Sequence, residues 1–211
     1  MTARESVLRD IRAALGREAG QAPAPAPPSR IRIPESEVDA RIESLFRSLE
    51  KLAGRTYLAL SPEDARNFVA EVICGEPSVA SNAPILREWG IAGLPSVATG
   101  FQDREALQAA CAAAAFGITS ADYALADTGT LVMIASPEEA RLVSLLPPVH
   151  IAVIPRARIL TGLDELLSIL PHPADLTSSM VLITGPSRTA DIEQILVRGV
   201  HGPGEIHVIV V

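Results

Sequence analysis

The stretch of this 211-residue chain richest in groups that can do chemistry is T-G-P-S-R-T-A-D-I-E, Thr184 to Glu193. A strand pattern ends at Thr184, and Ile192, Ile195 and Leu196 follow at helical spacing, which predicts a helix over 189–198. Gly185 permits close backbone approach, and Ser187 or Thr189 can cap that helix. Free N–H groups at such a helix start, with the positive end of its dipole, bind anions. Arg188 adds a bidentate donor suited to carboxylate or phosphate. Asp191, three residues on, shares the helical face of Arg188 and can transfer a proton. The plainer alternative makes Ser187 only a cap and Arg188–Asp191 only a surface pair.

Two more loops carry useful groups. In A-D-T-G-T, Asp127, Thr128 and Thr130 offer side-chain oxygens, and Gly129 can take positive φ or let a ligand approach the backbone. The same residues also make an ordinary Asx-type turn. In G-V-H-G-P-G, residues 199–204, His201 stands between flexible positions and is the histidine best placed to act as acid, base or ligand contact. His150 and His207 sit inside apolar strands and read as core or edge histidines, and His172, between prolines, as a turn residue. The four histidines have no H-x-H or H-E-x-x-H spacing, and Cys74 and Cys111 are far apart, so no metal site or four-cysteine cluster is assigned. There is no nucleophile elbow, phosphate-binding Walker loop or dinucleotide fingerprint, so no intrinsic cofactor is expected.

Composition narrows the partners. A net charge of −7 and seven aromatic residues disfavour phosphate backbones and stacking on single-stranded nucleic acid. No apolar run reaches the ~20 residues of a membrane span, and two isolated thiols suit the cytoplasm.

The elements that must position these loops follow from periodicity. Val7, Leu8, Ile11 and Leu15 behind a Thr2–Glu5 capping box make residues 1–20 a short amphipathic helix. Residues 21–35, with the run APAPAPP, read as a Pro-rich linker. From 36 to 211 helices and strands alternate, with one helix opened by Ser61 as cap and Pro62 as first residue and another opened by Ser136, Pro137 and Glu139. Continuously apolar strands such as HIAVI and HVIVV imply a sheet covered on both faces. The expected fold is α/β, three-layer αβα with a mainly parallel sheet. Ligands of such sheets bind outside the carboxyl ends of the strands, so the three loops should converge there on one small-molecule anion site.

Four motifs in order, G-I-T-S-A-D-Y-A-L-A-D-T-G-T-L-V, R-L-V-S-L-L-P-P-V-H-I-A-V, T-G-P-S-R-T-A-D-I-E and G-V-H-G-P, resemble the LUD-domain family of lactate-utilization proteins. The resemblance implies a fold similar to the sugar-phosphate isomerase and CoA-transferase group. It also implies a part in bacterial oxidation of L-lactate to pyruvate, as a non-redox subunit that binds a small carboxylate or organises the iron–sulfur partner subunits, which carry the cysteine-rich motifs. The fold analogy leaves an alternative open: a stand-alone isomerase or acyl-transfer enzyme acting on a phosphorylated or CoA-linked substrate.

Overall fold

The computed structural model describes residues 2–18, 20–22, 36–175, 177–190 and 196–211. It divides into two compact units, Met1–Arg32 and Ile33–Val211. In the first, α1 (Ala3–Leu15) opens with the expected box: Thr2 Oγ1 accepts from Glu5 N–H while the Glu5 carboxylate accepts from Thr2 N–H. Its stripe of Val7, Ile11 and Leu15 is exposed. All but the first two residues of the predicted linker lie outside the described residues.

The second unit is built on a six-stranded parallel sheet. In spatial order it runs β1 (Arg55–Leu58), β12 (Glu205–Val210), β7 (Val149–Ile154), β4 (Phe116–Ser120), β2 (Ser78–Ala80) and β3 (Val97–Ala98). Alternation along β7 turns Ile151 and Val153 to one face and Ala152 and Ile154 to the other. Ile151 and Val153 pack under α3 (Pro62–Ile73) and α4 (Pro84–Glu88) through Val69, Ile73 and Leu86. Here local signals set the boundary: Ser61 Oγ accepts from Asp64 N–H and Pro62 occupies the first helical position, as the sequence predicts. On the opposite face, Ile42, Leu45 and Leu49 of α2 (Val38–Lys51) cover Ala152, Ile154, Ile206 and Val208. Each fully buried Leu or Ile of this kind contributes about 1.5–3 kcal/mol relative to exposure.

That outer layer is shared with a second sheet of four strands, ordered β8 (Ile159–Leu160), β5 (Tyr123–Leu125), β6 (Thr130–Ile134) and β9 (Met180–Thr184). β5 and β6 form an antiparallel hairpin, and β9 pairs antiparallel with β6 so that Thr130 lies opposite Thr184. The loop that follows Thr184 and the loop that leads into Thr130 are therefore neighbours, but in this smaller sheet. Helices α5 (Arg104–Ala113), α6 (Arg141–Leu145) and α7 (Leu163–Ile169) complete the unit. α6 lies directly on β4 because residue 117 is glycine: a Cβ there would overlap the Val143 carbonyl oxygen and stand 3.0 Å from Pro147 Cγ.

Two helix assignments are corrected. Ser136 Oγ accepts from Glu139 N–H, but this closes an isolated turn, and the helix starts only at Arg141. Where the helix is predicted over 189–198, the described residues form two antiparallel strands instead, β10 (Arg188–Ala190) and β11 (Leu196–Arg198). Long-range pairing wins there: Ser187 N–H donates to Pro203 O (2.8 Å) and Gly199 N–H to Ser187 O (3.1 Å), a pattern incompatible with a helix start at Ser187. Among the described residues, no helix starts behind Ser187 and Arg188 to lend its dipole to an anion. Among the described residues, no helix is long and apolar enough to cross a membrane.

Candidate functional site

The T-G-P-S-R and H-G-P segments do meet. The Ser187 bond to Pro203 ties them together, and Gly204 N–H donates to Pro148 O (2.9 Å), anchoring the pair at the entry of β7. Between them and β9 opens a cavity of about 430 Å³. Gly185, Ser187, Arg188, His201 and Gly202 form its polar side; Val181, Ile183 and Ile206 form an apolar wall; Ser144 and Leu145 of α6 border it with Leu52. The size and the mixture of apolar wall and few polar groups suit a small organic anion.

The cavity lies at the amino ends of β7 and β12, not at the carboxyl ends expected for an α/β sheet. The reason is connectivity: both polar loops precede β12, and β9 belongs to the second sheet. Arg188 is exposed and donates a guanidinium N–H to the Leu52 carbonyl at the C-terminal end of α2, where a cation is favoured. Gly185, with φ of 77°, presses on the same Leu52. Thr189 continues β10, opposite Val197, and caps no helix. Asp191 lies outside the described residues.

Asp127, Thr128, Gly129 and Thr130 do not line this cavity; they reach it through hydroxyls. Thr128 Oγ1 donates to Asp127 Oδ1 (3.1 Å) and meets Thr130 Oγ1 at 2.8 Å, which in turn meets Thr184 Oγ1, on the cavity wall, at 2.8 Å. Gly129 does take positive φ, 69°, but what approaches its backbone is α2: a Cβ there would stand 2.8 Å from Leu49 N and 2.9 Å from Ser48 C. Ser44 and Ser48 add hydroxyl bonds to the carbonyls of Ala126 and Asp127.

Two groups escape a reading of the sequence. His150, only 1% exposed, is indeed a core histidine, yet it borders the cavity. Its Nε2 lies 2.7 Å from Thr119 Oγ1, whereas Nδ1 is buried without a partner. Burial pushes its pKa down to about 4, so the ring is neutral at pH 7. The second is Glu139, 7% exposed, at the carboxyl ends of β2 and β4. Its Oε2 accepts from Ser81 Oγ (2.8 Å) and Ser120 N–H (3.2 Å), and Oε1 has no partner. Burial, with a smaller push from Asp122, raises this carboxyl to about 8 against the lowering effect of the two hydrogen bonds. In the sequence it reads as part of the first turn of a helix opened by Ser136 and Pro137, a position where acidic residues are common and usually solvated. Among the described residues, no group of three or more His, Cys, Asp or Glu could hold a metal ion.

Comparison with known proteins adds to this geometry. The LUD domain model matches residues 42–211. Lactate utilization protein C of an Exiguobacterium species is 30% identical over 230 aligned residues, covering 100% of this chain and 96% of that protein. Its Anoxybacillus flavithermus counterpart is 30% identical over 164 residues, 74% of each chain. The Bacillus subtilis protein of that name is 41% identical over 91 residues, 41% of this chain and 38% of its own. Among solved structures, a DUF162 family protein from Deinococcus radiodurans superimposes with a TM-score of 0.63 at 17% identity, covering 83% of this chain and 99% of its own, and shares the fold. With a match that runs from α2 through the cavity loops to the last strand, the chain belongs to the LUD-domain family, among the relatives of lactate utilization protein C.

Proposed function

We propose that the chain serves lactate utilization as a subunit without its own redox centre, holding a small carboxylate in the amino-edge cavity while iron–sulfur partner subunits carry the electrons. The observation that carries this reading is the meeting of Ser187, Arg188 and His201 on one cavity bounded by an apolar wall. Arg188 and the Ser187 hydroxyl supply donors for a carboxylate. His201 supplies a proton donor or acceptor; Asp191, the other candidate from the sequence, lies outside the described residues. Lactate-dependent dye reduction, measured with this chain and cysteine-rich partners separately and recombined, tests it. Activity that needs all components, and falls when Arg188 is replaced by Ala, supports the reading. Full activity of the partners without this chain overturns it. A cytoplasmic location and the absence of an intrinsic cofactor are part of the same proposal; a stoichiometric chromophore on the purified chain would contradict it.

Glu139 favours a second reading, the acyl-transfer or isomerase enzyme. A carboxylic acid kept protonated at neutral pH at the carboxyl edge of a parallel sheet is a natural proton donor. It stands beside a cavity of about 270 Å³ bordered by Ser81 and Asn82. Turnover of a phosphorylated or CoA-linked substrate by the chain alone, lost in Glu139→Gln, would establish this reading over the first.

A further inference from the structure

His150 and Thr119 form a pair whose arrangement is not explained by packing. Both are buried, at 1% and 0% exposure, on neighbouring strands β7 and β4. Parallel register places His150 beside Ile206 of β12, on the sheet face turned toward β9. Ile206 and the β9 residues Val181 and Ile183 line the same cavity as His150. A buried nitrogen without a partner destabilises the fold by its full desolvation cost. A leucine or methionine would avoid that cost, so the imidazole is out of place unless something else completes it.

The chemistry of the pair narrows what that is. A threonine hydroxyl can donate or accept, so it tolerates either tautomer of a neutral imidazole. With the proton on Nε2, the ring donates to Thr119 and Nδ1 accepts. With the proton on Nδ1, Thr119 donates to Nε2 and Nδ1 donates. The free nitrogen can therefore meet an alcohol in one tautomer and a ketone in the other, with no change of net charge in a site where charge is expensive.

We propose that Thr119 and His150 are a tautomeric recognition pair whose Nδ1 meets the C2 oxygen of a small 2-hydroxy acid or of the matching 2-oxo acid bound in the cavity. This rests on the reading of the cavity as a carboxylate site, with Ser187 and Arg188 taking the carboxylate. No electron transfer is assigned to the pair; it recognises both partners of an alcohol–ketone couple.

The test uses the full native chain labelled with ¹⁵N-histidine, titrated with L-lactate and with pyruvate. Binding is followed by calorimetry and the ring nitrogens by NMR, with His150→Gln assigning the resonances. If that variant fails to fold, through-bond correlation in uniformly labelled native protein assigns them instead. The expected result is that both acids bind, and that the His150 Nδ1 resonance is of the unprotonated type with L-lactate and of the protonated type with pyruvate. Thr119→Val, which keeps shape and removes the hydroxyl, should weaken both by about 3- to 10-fold, the loss of one neutral hydrogen bond. Binding of both acids with the His150 resonances unmoved overturns the pair while leaving the cavity as the carboxylate site. Binding of neither overturns both.

Discussion

Replacing Gly129 by Ala tests the packing of the A-D-T-G-T turn on α2 with a magnitude that can be worked out in advance. Two penalties combine. At φ of 69° an L-residue with a Cβ costs about 1–2 kcal/mol. The new methyl would also stand 2.8 Å from Leu49 N and 2.9 Å from Ser48 C, both backbone atoms of α2 that cannot rotate away. Overpacking of that kind costs about 1–3 kcal/mol. The expected loss is therefore about 2–5 kcal/mol. Urea denaturation of three variants separates the contributions. Gly75 has φ of 79° and nothing within 4 Å of where an added methyl would stand, so Gly75→Ala carries only the conformational penalty, about 1–2 kcal/mol. Gly93 has neither feature, so Gly93→Ala should stay within about 0.5 kcal/mol. A Gly129→Ala loss no larger than that of Gly75→Ala would refute the claim that α2 bears directly on this turn.

Further outcomes follow from the same geometry. Arg188→Ala should weaken L-lactate binding by about 1.5–3 kcal/mol in calorimetry while changing stability by less than about 1 kcal/mol, because the guanidinium is exposed and its bond to the Leu52 carbonyl is a surface one. The reverse pattern would make Arg188 a helix cap alone. Glu139→Gln should raise stability, and the gain should grow as pH rises from 4.5 to about 8, the window in which the unfolded chain ionises this carboxyl and the native one does not; a pH-independent difference in denaturation midpoint would contradict it. For His150, native stability should fall as pH drops from 6.5 to about 4, because the unfolded chain takes up a proton that the buried ring refuses. That contribution is about 3 kcal/mol, and the acid limb of a thermal-melt profile should be shallower in His150→Gln.

What can be read from the sequence is what local chemistry decides. Ser61 with Pro62 starts a helix from its own hydroxyl and fixed φ, and the Thr2–Glu5 box closes within one turn. The apolar runs around Ile151 and Val208 are covered on both faces, as their composition implies. The failures all depend on distant partners. Ile192, Ile195 and Leu196 have helical spacing, but Ser187 finds Pro203, and the described residues on either side, 188–190 and 196–198, pair as strands. Ser136 makes the same hydroxyl bond as a helix cap, yet the helix starts only at Arg141. The loops of Ser187 and His201 meet as expected, yet at the opposite edge of the sheet, because strand order cannot be read before the pairs are known. His150 is legible as a core residue; nothing local shows that one of its nitrogens lacks a partner. Glu139 reads as a surface acid because its burial is decided by Ser81 and Ser120, far from it in the chain.

The position of β12 also bears on how the chain is made. It comes last in chain order yet slots between β1 and β7, two strands with no bond to each other. During synthesis β1 emerges early and must wait, unpaired, until almost everything else has left the ribosome. Meanwhile the edge of β7, with its apolar V-H-I-A-V-I, stays open to mispairing with other chains. Such long-range closure is slow, and it places a demand on chaperones that an up-and-down topology of equal size would escape. Ile206, on the cavity wall, arrives with that final strand. An unfinished chain therefore lacks one wall of this cavity, which is closed only when the sheet is complete.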